Sequence, residues 1–162
     1  MLNQIKQWRK YTGEYLELYI EDEVKFAILR EKDLGHQLKV CIGTDSQVKG
    51  AETQFATVIV FLRKGNGGFM YMSNEVSHEK MTISQRMMNE VTKSVEVAYI
   101  LSEMLSAYKV EMEVHVDINT QPCFKSHAAL KDAIGYITGM GFVFKAKPDA
   151  FASTCCANKL VQ

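Results

Sequence analysis

The chain predicts one α/β domain, a mixed β-sheet with helices on both faces and an additional helix in front. Three observations predict it. Two apolar segments flank Gly65-Asn66-Gly67-Gly68, a strong hairpin signal. From Thr82 onward, helical and strand periodicities alternate, the pattern of α/β architecture. Three aspartates, Asp45, Asp117 and Asp149, stand in or beside separate strand-like runs.

At 162 residues the chain is long enough for one full core and too short for two comfortable ones. Its first helix is read over about residues 14–33. Leu16, Ile20, Val24 and Ala27/Ile28 recur at helical spacing, and Leu34-Gly35 ends it. Lys39 to Val48 reads as the first strand. Gln54 to Lys64 is apolar on both faces and belongs inside the sheet. Phe69 to Val76 returns antiparallel to it. Thr82-Ile83-Ser84-Gln85 fits a capping box, opening a helix to about Ser106. Its apolar stripe is Met87, Val91, Val95, Ala98, Leu101 and Leu105. Val110 to Ile118 is a fourth strand. A helix over about 126–138, a short strand over 142–146 and a last helix from Asp149 complete the order β-β-β-α-β-α-β-α after the first helix.

Hydrophobic residues make up 47% and charged residues 23%, ordinary for a globular protein. The formal net charge is zero, which argues against a general electrostatic sponge for nucleic acid. The distribution is uneven, however. After Asp117 come Lys125, Lys131, Lys145, Lys147 and Lys159 against only Asp132 and Asp149. The start of the chain has no signal-peptide pattern and no run reaches membrane-spanning length, so the expected compartment is the cytosol. Cys41, Cys123, Cys155 and Cys156 match no zinc spacing and are read as free thiols.

A carboxylate in or beside a buried strand is costly unless something compensates it. Gly43-Thr44-Asp45-Ser46-Gln47, His115-Val116-Asp117-Ile118-Asn119 and Lys147-Pro148-Asp149-Ala150 each carry one, and together they point to a cation cluster. Other readings stand beside this one. Asp45 also fits a turn, Asp117 a solvated strand face with Glu111, Glu113 and His115, and Asp149 an N-cap. His115 shares a side with Asp117 and is read more readily as packed or surface than as part of the site. His36, His78 and His127 are read as surface residues.

The element order and these three pieces resemble the ribonuclease H-like superfamily, and specifically the uncharacterised bacterial YkuK-type family. The resemblance covers residues 38–162 and leaves 1–37 as an N-terminal extension. It implies an acid on the first strand (Asp45), on the helix after the third strand (Glu90), at the end of the fourth strand (Asp117) and at the start of the last helix (Asp149). Glu90 sits at the edge of the apolar stripe, whereas Glu96 faces almost opposite. Those four would hold Mg²⁺ or Mn²⁺, hard cations that take carboxylate oxygens. The implied activity is cleavage of a phosphodiester backbone, with nucleic acid as partner. Ser46, Gln47, Asn119, Lys145 and Lys147 are the candidate substrate-binding residues. Cellular ribonuclease H enzymes often carry a histidine before the last acid; here Phe144-Lys145-Ala146-Lys147-Pro148 stands there. A non-catalytic binding or regulatory module is the alternative, and a metal-dependent phosphotransferase or nucleotide hydrolase ranks third.

Overall fold

The computed structural model describes residues 6–118 and 127–162, with side chains for all of these except 127–130. The elements are β1 (Arg9–Lys10), α1 (Ile20–Asp33), β2 (Leu38–Lys49), β3 (Glu52–Arg63), β4 (Gly68–Ser77), α2 (Ile83–Ala107), β5 (Glu111–Val116), α3 (His127–Gly139) and β6 (Val143–Lys145). A π-helical stretch over Ala152–Ala157 then runs into α4 (Asn158–Val161). The sheet order is β1-β4-β3-β2-β5-β6. β2, β3 and β4 form an antiparallel meander, and β5 and β6 continue the sheet parallel to β2. The expected mixed sheet with helices on both faces is therefore present.

Several expectations hold closely. The β3–β4 hairpin turns through Gly65 and Gly67, both at positive φ. Thr82 accepts from the Gln85 backbone N–H and Gln85 reaches back to the Thr82 N–H, so the capping box is complete. The first helix is shorter than its periodicity implies, starting at Ile20. Residues 9–16 instead fold back on themselves. Gly13 turns at φ 93°, Leu16 N–H donates to Trp8 C=O at 2.9 Å, and Arg9–Lys10 adds a short edge strand to β4. Backbone pairing to an open sheet edge overrides the local helical pattern.

Side-chain alternation along β2 divides the interior. Val40 and Ile42 join the larger core with α1, α2 and α3. Cys41 joins a smaller core with Ala56, Val58, Met72, Ala152, Ala157 and Val161, beneath the C-terminal helix. Gly43 lies on that second face. A Cβ there would stand 2.5 Å from Ser153 N and 2.7 Å from the Ala152 carbonyl carbon. Only glycine lets the π-helical backbone come so close to the strand. The small residues Ala152, Ser153 and Ala157 serve this approach.

α1 is fastened to the sheet by an ionic network the sequence did not reveal. Glu31 is 1% exposed and accepts two bonds from Arg63, at 2.6 and 3.0 Å, one from Arg30 at 3.3 Å, and pairs with His36 Nδ1 at 2.6 Å. The Arg63 guanidinium holds its carboxyl well down, to about 2. His36, read as an unpartnered surface residue, is part of this network.

Candidate functional site

Parallel pairing of β2 with β5 runs to Thr44 opposite Val116. Asp45 and Asp117 are the next residues, so they stand level where the parallel pairing stops, Asp117 just past the end of β5 and Asp45 within β2, which runs on to Lys49 against β3. β6 pairs one strand further out, with Lys145 opposite His115. In open α/β sheets the crevice at the carboxyl ends is where ligand sites form.

Glu90 reaches the same level from the helical side. Thr44 Oγ1 lies 2.8 Å from Ser94 Oγ of α2, and Ser46 Oγ donates to Glu90 Oε1. Four helical residues rise about 6 Å. Two strand residues rise about 6.6 Å. Helix and strand therefore stay in step, and Ser46 meets Glu90 one turn from the Thr44–Ser94 contact. Even-numbered residues of β2 face α2 and odd-numbered ones face the C-terminal helix. Glu90 and Asp45 thus lie on opposite faces of β2.

Asp45 is 4% exposed. Its Oδ1 accepts from Ser46 N–H at 2.8 Å, and its Oδ2 accepts from Asn158 Nδ2 at 2.7 Å. Burial raises its pKa against these bonds, and Asp117 adds to the rise. Glu90 is 1% exposed, and its Oε2 has no hydrogen-bond partner among the described residues. Burial pushes its pKa well up, against the Ser46 bond, and both Asp45 and Asp117 add to the rise. Three of the four expected acids thus act on one another. Asp117 Oδ1 lies 2.6 Å from Lys147 Nζ, an ion pair without the alignment of a hydrogen bond.

Asp149 differs from the other three expected acids in its exposure. It is exposed, and its backbone N–H donates to Ala146 C=O at 2.8 Å in the turn before the last helix. The partner that reaches Asp45 from the C-terminal helix is Asn158. Of the expected substrate contacts, Ser46 is half-buried against Glu90, Gln47 is exposed, Lys145 is half-buried and Lys147 pairs with Asp117. Asn119 lies outside the described residues, as does Cys123.

A divalent cation fits the arrangement on one physical observation. The buried Glu90 Oε2 lacks a hydrogen-bond partner among the described residues, beside the buried Asp45, whereas Asp117 Oδ1 has Lys147 as its counter-charge. Such an oxygen is destabilising without a proton or a compensating charge.

A second set of donors was not legible in the sequence. Cys41 Sγ, Glu113 and His115 offer ligand atoms within 4.8 Å of one another, the one such trio of His, Cys, Asp and Glu side chains among the described residues. They come from β2 and β5, where Cys41 stands opposite Glu113 and Gly43 opposite His115. His115 is 1% exposed beneath the C-terminal helix, packed rather than solvated. Its Nδ1 accepts from Ala152 N–H at 3.2 Å, so Nε2 carries the proton and donates to Glu113 at 2.9 Å. Burial lowers the pKa of this imidazole and raises the Cys41 thiol to about 12. Glu113 is also paired with Lys39 at 2.5 Å. The donor types suit a borderline ion better than Mg²⁺. With both ring nitrogens engaged, however, the trio stands as a closed hydrogen-bond network joining β5 to the C-terminal helix. No helix among the described residues is long and apolar enough to cross a membrane.

Comparison with known proteins agrees with this fold. The uncharacterized protein YkuK of Bacillus subtilis (strain 168) is 26% identical over 146 residues, covering 82% of this chain and 84% of that protein. No solved structure matches. A family model described as ribonuclease H-like matches residues 23–162, which include every acid of the cluster. Membership points to a nucleic-acid-related activity and, with the donor sets described, to divalent-metal binding of unspecified ion. The β4-β3-β2-β5-β6 sheet and that match together place the chain in the ribonuclease H-like family.

Proposed function

We propose that this chain is a divalent-cation-dependent nuclease that hydrolyses phosphodiester bonds. The observation that supports the reading is that Glu90 is buried with Oε2 unpartnered among the described residues, while Asp45 and Asp117 both raise its pKa. Asp45, Glu90 and Asp117 would hold Mg²⁺ or Mn²⁺, with Asp149 supplying a carboxylate from the rim. The chemistry such ions supply when bound is activation of water and stabilisation of charge on a leaving oxygen.

The chain's own residues prepare that site. Asn158 and the Ser46 backbone fix both oxygens of Asp45, so the carboxylate meets its ligand in one orientation. Ser46 Oγ fixes Oε1 of Glu90 and leaves Oε2 directed by the helix alone. Lys147 neutralises Asp117 and, half-exposed, can turn from it to a substrate phosphate. Lys145, Gln47 and Asn119 would grip the substrate backbone. No protein nucleophile is required.

A second reading, a binding module without catalysis, has one observation in its favour. Lys147 already supplies Asp117 with a counter-charge. Calorimetric titration with Mn²⁺ of the wild type and Asp117→Asn, alongside cleavage of a labelled oligonucleotide in the same buffer, separates the two. Binding that disappears in the variant, together with Mn²⁺-dependent cleavage, supports the nuclease. Oligonucleotide binding without metal binding or cleavage supports the module.

A further inference from the structure

A groove of about 1520 Å³ opens between the N-terminal segment, the start of α1, the middle of α2 and α3. It uses none of the acids proposed for catalysis. Its walls carry four exposed tyrosines from these separate elements: Tyr15, Tyr19, Tyr99 and Tyr136, of which Tyr19 and Tyr99 are 67% and 65% exposed. Leu18 and Ile100 stand exposed beside them. Aromatic and aliphatic groups gathered this way on the surface of one chain mark an interaction site.

The charge on the rim selects the occupant. Glu17, Glu21 and Glu96 line the groove, are exposed, and make no ion pair among the described residues. Lys6 is the one cation lining it among those residues, and its ammonium faces Glu75 at 3.5 Å, which Lys93 also holds at 3.0 Å. The groove is thus aromatic and acidic. Phosphate backbones are repelled there, whereas a cation gains from both the carboxylates and the tyrosine faces. Its volume exceeds the few hundred to roughly 1,000 Å³ of small-molecule pockets and suits a short stretch of polypeptide.

We infer that this groove is the docking site for a linear segment of a partner protein in which lysine or arginine alternates with apolar side chains. The segment's cations meet Glu17, Glu21 and Glu96, and its apolar groups lie on the tyrosines. This places protein recognition on a surface separate from the carboxylate cluster.

The test is selection of the full chain against a library of random short peptides displayed on phage. Selected sequences are then made as fluorescent peptides and measured by anisotropy. The expected result is enrichment of basic, apolar sequences whose binding falls about tenfold or more in Glu96→Lys and in Tyr99→Ala. Both positions are exposed, so both variants keep the wild-type melting temperature. Asp117→Asn should leave the affinity unchanged, which separates this surface from the proposed catalytic site. Four results would overturn the inference. They are no enrichment, enrichment of neutral or acidic sequences, affinity indifferent to both groove variants, and competition by a single-stranded oligonucleotide that Glu96→Lys strengthens. Concentration-dependent dimerisation lost in Tyr99→Ala would assign the groove to a second copy instead.

Discussion

Glu31 and Glu90 are both helical glutamates, each 1% exposed, and they behave as opposites. Glu31 is surrounded by Arg63, Arg30 and His36, and its carboxyl is held down to about 2. Glu90 has one hydroxyl partner and two acidic neighbours, and its carboxyl is pushed well up. Burial alone does not distinguish a structural charge from a functional one. What distinguishes them is whether the protein itself completes the carboxylate's partners. Glu31 is complete and fastens α1 to β3. Glu90 is incomplete: without a ligand it keeps a proton, whose place the proposed cation would take.

The sharpest way to break this contrast is to exchange charge for amide at each site. Glu31→Gln should lower stability by about 3 kcal/mol, because a buried pair loses one partner. In a chain of this size that is roughly 10 °C in melting temperature. Oligonucleotide cleavage by the surviving folded protein should be unchanged. Glu90→Gln should do the reverse, with cleavage reduced about 100-fold or more and the metal-free protein stabilised by about 1 kcal/mol. Thermal melts and cleavage assays on the two variants check both arms.

The Asp45 arm of the site depends on how closely the C-terminal helix approaches. Gly43→Ala should cost about 2 kcal/mol, because the added methyl meets the backbone of Ala152 and Ser153 and neither can move aside freely. Asn158→Ala is gentler. It removes one bond to Asp45 at a cost of about 1 kcal/mol. Its clearer effect should be roughly tenfold weaker Mn²⁺ binding, read by calorimetry, because Asp45 loses its orientation.

The pH dependence has opposite signs at the two glutamates. Glu31 has a depressed pKa, so its stabilisation is present above the ordinary value of 4.5 and is lost as pH falls toward about 2. Glu90 has a raised pKa, so the folded state holds a proton that the unfolded chain releases. Without metal, its contribution weakens as pH rises from 4.5 through the elevated folded value. Melting temperature against pH should therefore lose its acid-side slope in Glu31→Gln. In Glu90→Gln it should lose part of its decline toward neutral pH.

These features were not equally legible in the sequence. Strand alternation, the Gly65–Gly68 hairpin and the Thr82 capping box are local signals, and all were readable. Helical phase was enough to favour Glu90, now seen buried, over the exposed Glu96. The depth of Glu90 was not, because it depends on where β2 passes beneath α2. The Glu31–Arg63–His36 network and the Cys41–Glu113–His115 trio join residues far apart in sequence through pairing and packing that no local period records. A register of β2 against β5 is what would have revealed the trio. Asn158 was missed for a related reason. A π-helical turn shifts the face of the last helix, so a regular 3.6-residue period misplaces it. Asp149, which the family pattern places at the site, is the exposed member of the four.

The central claim is that the incomplete carboxylate, and not the complete one, serves catalysis. Mn²⁺-dependent cleavage of a labelled oligonucleotide by wild type, Glu90→Gln and Glu31→Gln, measured side by side at a temperature where all three are folded, tests it most directly. The account predicts cleavage by wild type and Glu31→Gln and its loss in Glu90→Gln. Equal cleavage by all three, or loss in Glu31→Gln alone, would contradict it.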